Sequence, residues 1–531
     1  MSIPTSCRIC GVESHSEMEC PIEAYYRSPF TSITIRKYFL DGQEESIFCV
    51  VAKSKTLKSL VIEGTKDVGN KIAYGIAHAL STNSSLTSLD LNWNEIDDEG
   101  AIAIAHALSI NSFLTSLDLR WNEIGDFGAI AIAHALQINS CLKSLVLNRN
   151  TIGKDGAIAI AHALQINSSL TLLDLHKNKI GDDGAIAIAS ALKVNSSLIT
   201  LNLRNNDIKI NGAIAIAGAL EVNSSLITLN LRNNDIKING AIEIVCALEV
   251  NSTLTSLDIG RNSIGNDGFM AIVDALKINS SLTTLNLRRN DIGSESVLAI
   301  ADALQINSSL SSVNLSGNQV GTHGIHVLAG ALRINSGLTS LDLADNQINH
   351  EGAIRIADVL MINSTLKSLN LETNNIKNVG ASAIADALMI NSSLTTLHLT
   401  ENGIGDDGVI AFANALKVNS GLVSLYLNSN YVGTDGVIAI AEALKVNVCL
   451  TTINLRNCSC DYSGGKAMIV DALRFNPCIL YAPVEFGSDL HEKFSSFKVN
   501  TEVALVSLLN KLFGQDGGKV LSSKFRMKFP I

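Results

Sequence analysis

The stretch LTSLDLNWNEI at residues 86–96 decides the fold of this chain. An acidic turn follows it up to Gly100, and an alanine-rich segment over 101–110 then ends at Asn111. The same pattern returns at residues 114–124 and recurs at that interval along the chain. A fixed period of about 28 residues is typical of solenoid proteins, in which each repeat forms one unit of supersecondary structure.

One asparagine of the motif keeps its register through the chain. The first leucine of each repeat runs from Leu57 to Leu450, which makes 15 repeats, and only the first interval is longer, by a single residue. The two terminal repeats have Lys66 and Cys458 at the asparagine position. Atypical terminal repeats are expected, because they cap an open core. The motif asparagines are Asn94, Asn122, Asn150, Asn178, Asn206, Asn234, Asn262, Asn290, Asn318, Asn346, Asn374, Asn402 and Asn430.

Each repeat carries two periodicities. Leu89 and Leu91 alternate with polar residues, which predicts a half-buried strand. Ala101, Ile104 and Leu108 lie at i, i+3 and i+7, which predicts a helix with one apolar face. One repeat cannot bury this face alone, but stacked repeats can. We therefore predict an inner parallel sheet and an outer layer of helices.

The predicted fold class is α/β, a solenoid of 15 repeats of 28 residues. Neighbouring strands lie about 4.8 Å apart and helices are wider, so stacking should bend the array into a horseshoe. The motif asparagine stands where the chain leaves the strand. Its amide can bond backbone groups of the turn and of the next repeat, so we interpret the motif asparagines as structural residues.

The motif Leu-x-x-Leu-x-Leu-x-x-Asn-x-Ile, with its glycine and helix, resembles the ribonuclease-inhibitor-like class of leucine-rich repeats. That class also forms the sensor end of NOD-like receptors. The resemblance extends over residues 57–480 and implies a leucine-rich-repeat horseshoe. It does not imply one particular partner, because this fold serves many functions.

A second motif lies at the N-terminus. Cys7, Cys10, His15 and Cys20 follow the spacing Cys-x2-Cys-x4-His-x4-Cys. Three thiolates and one imidazole can complete a tetrahedral zinc site without an open position, so such a site is structural. A segment this short cannot bury a core, so bound metal would supply most of its folding free energy. We therefore predict one structural zinc ion.

This motif resembles the zinc knuckles of retroviral nucleocapsid proteins and cellular RNA-binding proteins, with Gly11 after the second cysteine. The resemblance implies zinc ligation by the same four residues and binding of single-stranded nucleic acid. Knuckles of that kind stack bases on an aromatic and an apolar side chain, where this chain has Arg8 and Ser16. Contact with nucleic acid, contact with protein and a role as a folding cap therefore all stay open.

The chain divides into four predicted segments. Residues 1–24 form the knuckle-like segment, 25–56 an N-terminal cap, 57–480 the repeat array and 481–531 a C-terminal cap with a basic tail. The N-terminal cap is rich in aromatic residues, which we expect to cover the first repeat. The run at 31–35 predicts an added strand.

Strand side chains that do not point into the core should face the concave side of the horseshoe. Aspartate or asparagine holds most places between the two strand leucines, and arginine recurs two places further on. Because repeats are stacked, these residues should form an acidic row beside a basic row. The predicted contacts for a partner are Trp93, Trp121, Arg120, Arg149, Lys177, Arg204, Arg232, Arg261, Arg288 and Arg289.

Two alternatives to partner contact stay open for these side chains. Exposed tryptophan and arginine are good anchors for a protein partner. Trp93 and Trp121 could instead pack on each other and on the N-terminal segment. The basic row could instead pair with the acidic row as an ordinary solvated surface.

Composition narrows the function. The chain has 531 residues and a formal net charge of −10, which argues against wholesale nucleic-acid or membrane binding. It has no apolar run long enough to span a membrane and no signal-peptide pattern, so we expect a cytoplasmic protein. It also shows no nucleophile–base pair, phosphate-binding loop or open metal site, so we expect no enzyme.

The leading interpretation is a non-enzymatic cytoplasmic scaffold that binds a protein on the concave face of the repeat array. The alternative is a zinc-knuckle protein that binds single-stranded RNA or DNA, with the array as its platform. Neither the identity of the partner nor the oligomeric state follows from the sequence.

Overall fold

The computed structural model describes residues 31–36, 44–64 and 69–458. The chain forms two compact units, Met1–Asn286 and Leu287–Ile531. Within each unit a short strand is followed by a helix, and this pair repeats about every 28 residues. The alternation confirms the predicted α/β leucine-rich-repeat solenoid.

The described part of the first unit contains strands β1 to β10 and helices α1 to α9. Its strands are Ser32–Arg36, Ser59–Glu63, Ser88–Asp90, Ser116–Asp118, Ser144–Val146, Leu172–Asp174, Thr200–Asn202, Thr228–Asn230, Ser256–Asp258 and Thr284–Asn286. Its helices are Glu44–Lys53, Gly69–Leu80, Asp98–Ile110, Asp126–Ile138, Lys154–Leu164, Gly181–Leu192, Ile210–Leu220, Lys237–Val250 and Gly265–Leu276.

The described part of the second unit contains strands β11 to β16 and helices α10 to α15. Its strands are Ser312–Asn314, Ser340–Asp342, Ser368–Asn370, Thr396–His398, Ser424–Tyr426 and Thr452–Asn454. Its helices are Val297–Ile306, Gly321–Leu332, His350–Leu360, Lys377–Leu388, Asp406–Leu416 and Thr434–Val446.

The strands within each unit are parallel and follow chain order. Each pairs with the residues one repeat away, as Asp174 pairs with Asn202 and Asn202 with Asn230. Strand β1 pairs with β2 in the same parallel manner, from Ser32 opposite Ser59 onward. The predicted strand before the array is therefore confirmed, and with α1 it forms one more strand–helix pair of the stack.

The core of each repeat lies between the sheet and the helices. In β7, Leu201 is fully buried between two half-buried neighbours. Ile216 and Leu220 of α7 are fully buried as well. Burying one such side chain stabilises the fold by about 1.5–3 kcal/mol. Because each repeat buries the same positions, the core of a unit is a column of leucine, isoleucine and alanine.

The motif asparagine joins each repeat to the one before it. The fully buried amide of Asn206 donates to the carbonyl of Leu175 at 2.9 Å and to that of Arg204 at 3.2 Å. Its side-chain oxygen accepts from the backbone N–H of Asn178 at 3.2 Å. These bonds satisfy buried backbone groups where the chain leaves the strand. Leu175 and Asn178 belong to the preceding repeat, so the asparagine bonds to that repeat and not to the next one.

A second asparagine ladder lies in the turns after the helices. Asn195 is buried and donates to the carbonyls of Leu164 at 2.7 Å and Asn167 at 3.0 Å. Its oxygen accepts from the N–H of Leu198 at 2.9 Å. The turn from helix to strand is therefore a buried joint between repeats.

Several helices are capped by a carboxylate of the preceding repeat. The side chain of Asp182 in α6 accepts from the N–H of Lys209 at 2.7 Å and of Gly212 at 3.0 Å, at the start of α7. Asp98 does the same for Gly125 and Gly128 at the start of α4. A carboxylate suits the positive end of the helix and satisfies its unpaired donors.

Candidate functional site

One face of the sheet in the described part of the first unit is not packed under helices, and we call it the open face. It carries the third residue of each strand and the residue two positions on, because side chains two apart point the same way. Asp174, Asn202 and Asn230 hold the first place, and His176 and Arg204 are examples of the second. All five side chains are half-buried.

Backbone hydrogen bonds keep the repeats in register beyond the ends of the strands. The N–H of Arg149 donates to the carbonyl of His176 at 2.7 Å. The N–H of Lys177 donates to the carbonyl of Arg204 at 2.8 Å. Residues about one repeat apart in the sequence are thereby held side by side at the edge of the open face.

Six predicted partner contacts have a left-handed backbone, with φ between 52° and 58°. They are Trp93, Trp121, Arg149, Lys177, Arg261 and Arg289. This conformation costs a non-glycine residue about 1–2 kcal/mol, and few side chains adopt it. The sequence does not signal it, because only the turn geometry and the interrepeat hydrogen bonds impose it.

The two tryptophans are exposed and do not pack on each other. Trp93 is 54% exposed and Trp121 is 49% exposed. The guanidinium carbon of Arg149 lies 3.8 Å from the centre of the Trp121 ring, which is a cation–π contact. Within the residues that the structure describes, the Trp121 ring therefore pairs with Arg149 and not with Trp93.

Arg120 is paired with the acidic row, as the alternative to partner contact predicted. Its Nε lies 3.2 Å from Oδ2 of Asp118, and its Nη2 lies 3.9 Å from Oδ2 of Asp90. Burial raises the pKa of the Asp118 carboxyl to about 6, although Arg120 opposes the shift. Arg120 is therefore largely neutralised by its neighbours.

Arg149, Lys177, Arg204 and Arg232 form a different environment, which we call the basic cluster. His176 lies among them, and its pKa falls to about 4, first because of burial and then because of these four cations. The Nε of Arg204 is buried and has no hydrogen-bond partner in the structure. Arg149, Lys177 and Arg204 form no ion pair with any described residue.

Fewer carboxylates face the cations of the basic cluster, because asparagine replaces aspartate in this part of the acidic row. The strand position that holds aspartate at Asp118 holds the neutral amides of Asn202 and Asn230. The carboxylates of Asp174 and Asp258 flank these amides, and burial raises the pKa of both carboxyls. The predicted pairing of the two rows is therefore present at Arg120 and incomplete in the cluster.

The remaining predicted basic contacts lie elsewhere. Arg261 is half-buried in the first unit. Arg288 and Arg289 belong to the second unit, where the Nη2 of Arg289 lies 3.4 Å from Asp345. The predicted basic row is thus divided between the two units. The four residues of the basic cluster all belong to the first unit.

The open positions of the second unit have a different chemistry. His398 stacks on Tyr426 with ring centres 4.1 Å apart, and burial lowers the pKa of His398. Burial also raises the pKa of the Glu372 carboxyl, and the neighbouring Glu401 adds to the shift. Towards its C-terminal repeats this unit therefore presents acidic and aromatic groups in addition to Arg288 and Arg289.

Several predictions fall outside the described residues. These are the zinc ligands Cys7, Cys10, His15 and Cys20, together with the C-terminal segment 481–531. Over 31–36, 44–64 and 69–458, no three His, Cys, Asp or Glu side chains are grouped to hold a metal ion. No helix in the same ranges combines the length and hydropathy needed to cross a membrane.

Comparison with known families decides the classification. The family model described as the NLRC3 LRR domain matches residues 48–401 and also residues 150–531, which is well over half of the chain. The chain belongs to the NLRC3 LRR domain family. The repeats of this LRR domain are those that the sequence period predicts.

Several solved structures contain a chain that is similar to this one. An internalin, InlF from Listeria monocytogenes, has 19% identity over 78% of this chain and 89% of its own, with a TM-score of 0.37. The yeast Rad7–Elc1 complex has 17% identity over 82% and 91%, with a TM-score of 0.47. The complex of TLR13 with ssRNA13 has 18% identity over 81% and 63%, with a TM-score of 0.48. No curated protein matches the LRR chain.

Proposed function

We propose that this protein is a non-enzymatic cytoplasmic scaffold that binds a protein partner on the open face of its first unit. The observation that supports the proposal most directly is the pairing of exposed Trp121 with Arg149 beside the basic cluster. Tryptophan and arginine dominate the energetics of protein interfaces when they lie together near the centre of a contact. On the same open face, Arg149, Lys177 and Arg204 form no ion pair with any residue that the structure describes.

The rigidity of this surface supports the same proposal. The backbone under Trp121 and Lys177 is held in the left-handed conformation by the turn. Lys177 is further tied to Arg204 by the interrepeat hydrogen bond of 2.8 Å. A surface that is ordered before binding loses little conformational entropy on association, so more of the contact energy appears as affinity.

The proposal is tested by comparing the proteins captured by the wild-type chain and by surface variants. Trp121→Ala removes the aromatic anchor, and Arg204→Glu reverses one charge of the basic cluster. Lys193→Glu is the matched control, because Lys193 is exposed directly after helix α6 and makes the same charge change away from the open face. Circular dichroism establishes that each variant is folded.

Quantitative mass spectrometry measures the amount of each captured protein. For proteins that the wild-type chain and Lys193→Glu retain, we expect both open-face variants to recover at least tenfold less. Equal recovery by all four chains would show that the open face of the first unit is not the binding surface. The proposal would then be wrong for this surface.

We also propose that the N-terminal segment binds one structural zinc ion through Cys7, Cys10, His15 and Cys20. The spacing of these ligands supports this proposal. The alternative function, binding of single-stranded RNA at this segment, predicts an affinity that falls with salt and with zinc chelation. RNA binding that is absent, or that does not respond to chelation, would remove that alternative.

A further inference from the structure

The basic cluster brings four cationic side chains together on the open face, and the Asp258 carboxylate attracts two of them, Arg204 and Arg232. Arg149, Lys177, Arg204 and Arg232 lie close enough together to depress the pKa of His176. The buried Nε of Arg204 has no hydrogen-bond partner. Like charges held together in a half-buried place are destabilising, and an anionic ligand removes that repulsion. The cluster therefore has the chemistry of a site for carboxylates or phosphates.

We propose that the ligand of the basic cluster is an extended, acidic segment of a protein, with aspartate or glutamate side chains on one side. The proposal rests on the proposed function and names the chemical class of the partner. Arginine and lysine form their strongest hydrogen bonds with ionised acceptors, so several carboxylates in a row would supply most of the affinity.

The dimensions of the cluster fit a short peptide. From Arg149 to the repeat of Arg232 there are three steps between repeats, each about 4.8 Å along the sheet, or about 14 Å in all. An extended peptide rises about 3.4 Å per residue and places alternate side chains on one face. About four or five residues therefore span the cluster, and two or three of their side chains face it.

The row beside the cluster favours a polypeptide over a nucleic acid. The side-chain oxygen of Asn202 accepts one bond, from the N–H of Arg204 at 3.1 Å, and that of Asn230 accepts one from Arg232 at 2.9 Å. A carbonyl oxygen has two lone pairs, so each amide can accept another donor. A peptide backbone offers an N–H donor at nearly every residue, whereas the sugar–phosphate backbone of DNA offers none.

The surroundings of the cluster also limit the ligand. On one side Arg120 is paired with Asp118 and Asp90, and on the other side lies the carboxyl of Asp258. Within the cluster itself, Asp174 accepts from the N–H of His176 at 2.8 Å. A polyphosphate chain that continued in either direction would meet these carboxylates. A short acidic peptide whose charges are confined to the cluster would avoid the carboxylates on both sides and would meet only that of Asp174.

The test uses the full chain and three fluorescent probes in an anisotropy titration. The first is a twelve-residue peptide with the sequence Glu-Ser-Glu-Ser-Glu at its centre and uncharged glycine and serine on both sides. The second replaces each glutamate with glutamine, and the third is a single-stranded oligothymidine of twelve nucleotides. The proteins are wild type, Lys177→Gln, Arg204→Gln and the matched control Lys193→Gln. Circular dichroism and the thermal midpoint establish that each variant is folded.

We expect the glutamate peptide to bind wild type and Lys193→Gln equally, and to bind each cluster variant about tenfold more weakly. The glutamine peptide should bind at least tenfold more weakly than the glutamate peptide. Tighter binding of the oligothymidine than of the glutamate peptide would overturn the proposal in favour of a nucleic acid. Equal affinity of the glutamate peptide for wild type and Arg204→Gln would also overturn it.

The two proposals fail in different ways. If the open-face variants lose a captured protein while the wild-type chain binds no glutamate peptide, the scaffold proposal holds and the acidic class is wrong. If the glutamate peptide binds at the cluster and no captured protein depends on Trp121, the acidic class holds and the tryptophan is not an anchor.

Discussion

Lys177 donates its backbone N–H to the carbonyl of Arg204 at 2.8 Å, and this bond joins two cationic residues that are nearly one repeat apart in the sequence. In the repeat of Arg204, the neutral Asn202 holds the place that aspartate holds in other repeats. Repulsion between the two side chains is therefore not offset by a carboxylate in that repeat. His176 lies among the cations of the cluster, and they lower its pKa further after burial, which is the larger cause.

The pKa of His176 should rise when a charge of the basic cluster is removed. In the wild type the pKa is about 4, below the ordinary 6.5, with burial as the largest cause and Arg204 as the next. Arg204→Gln should move the pKa of His176 above 4 but leave it below 6.5, because burial remains. Proton NMR titration measures this, with the His176 signal assigned by a His176→Asn variant and Lys193→Gln as the control. An unchanged pKa of His176 in Arg204→Gln would mean that Arg204 does not contribute to the shift.

The same shift predicts a pH dependence of stability. The folded protein holds the His176 proton less tightly than the unfolded chain does, since the pKa is lowered from 6.5 to about 4. Its contribution to stability is present above about pH 6.5 and is lost as the pH falls towards 4. The loss should be smaller in Arg204→Gln than in the wild type. Urea unfolding at pH 7 and pH 4.5 compares the two, and an equal loss would contradict the expectation.

Asp118→Asn should stabilise the chain at alkaline pH. The pKa of Asp118 is raised from 3.8 to about 6, so its contribution to stability is greatest below about pH 3.8 and is lost as the pH rises through 6. Asparagine holds the same place at Asn202 and can accept the same bond from the backbone. We expect a gain of about 1–2 kcal/mol at pH 8, after allowance for solvent screening and the lost pair with Arg120.

The control for this substitution is Asp207→Asn, at an exposed position, which should change the free energy of unfolding little. Urea unfolding at pH 8 and pH 4 measures both variants. A gain at pH 4 as large as that at pH 8 would show that the burial of the Asp118 charge is not its cause.

Asn206→Ala should loosen the joint between two repeats. The substitution leaves the carbonyl of Leu175 and the N–H of Asn178 without the bonds of 2.9 Å and 3.2 Å that Asn206 makes. The Leu175 carbonyl keeps the bond from the side-chain amide of Asn178 at 2.9 Å, so only the Asn178 N–H is left unpaired. We therefore expect a loss of about 1–3 kcal/mol in local stability. Hydrogen exchange measured by mass spectrometry over residues 170–210 reports it. Asn211→Ala, at an exposed helix position, is the control and should leave exchange unchanged.

Protein purified without added metal should contain one zinc ion per chain, measured by elemental analysis. Cys10→Ser should lose that zinc, because a three-ligand site no longer closes the tetrahedron. A serine in place of Cys246, an exposed cysteine of the repeats, is the control and should keep it. Zinc-free wild-type protein would remove the zinc prediction.

The pattern of a single repeat predicted the strands and helices because burial follows a local period. Leu201 and Ile216 are buried where the alternation and the helical spacing place them. The strand before the array was predicted for the same reason. The cap that Asp182 provides to the next helix was not predicted, because its partners Lys209 and Gly212 lie about one repeat away and only stacking brings them near.

The candidate surface was predicted in part. The sequence indicated which residues stand on the open face, since side chains two apart in a strand share a face. It left undecided whether those cations are paired, and the structure gives different answers at different places. Arg120 is paired with Asp118 at 3.2 Å, whereas Arg204 has a buried Nε without a hydrogen bond.

The sequence by itself determined the repeat, its register and its apolar core, because a fixed period repeats the same burial in every copy. Only the tertiary structure decided which polar groups meet. Trp121 and Arg149 hold equivalent positions in successive repeats and make contact at 3.8 Å because parallel stacking places such positions side by side. Charge pairing, left-handed turns and shared helix caps all arise between repeats, and no pattern within one repeat contains them.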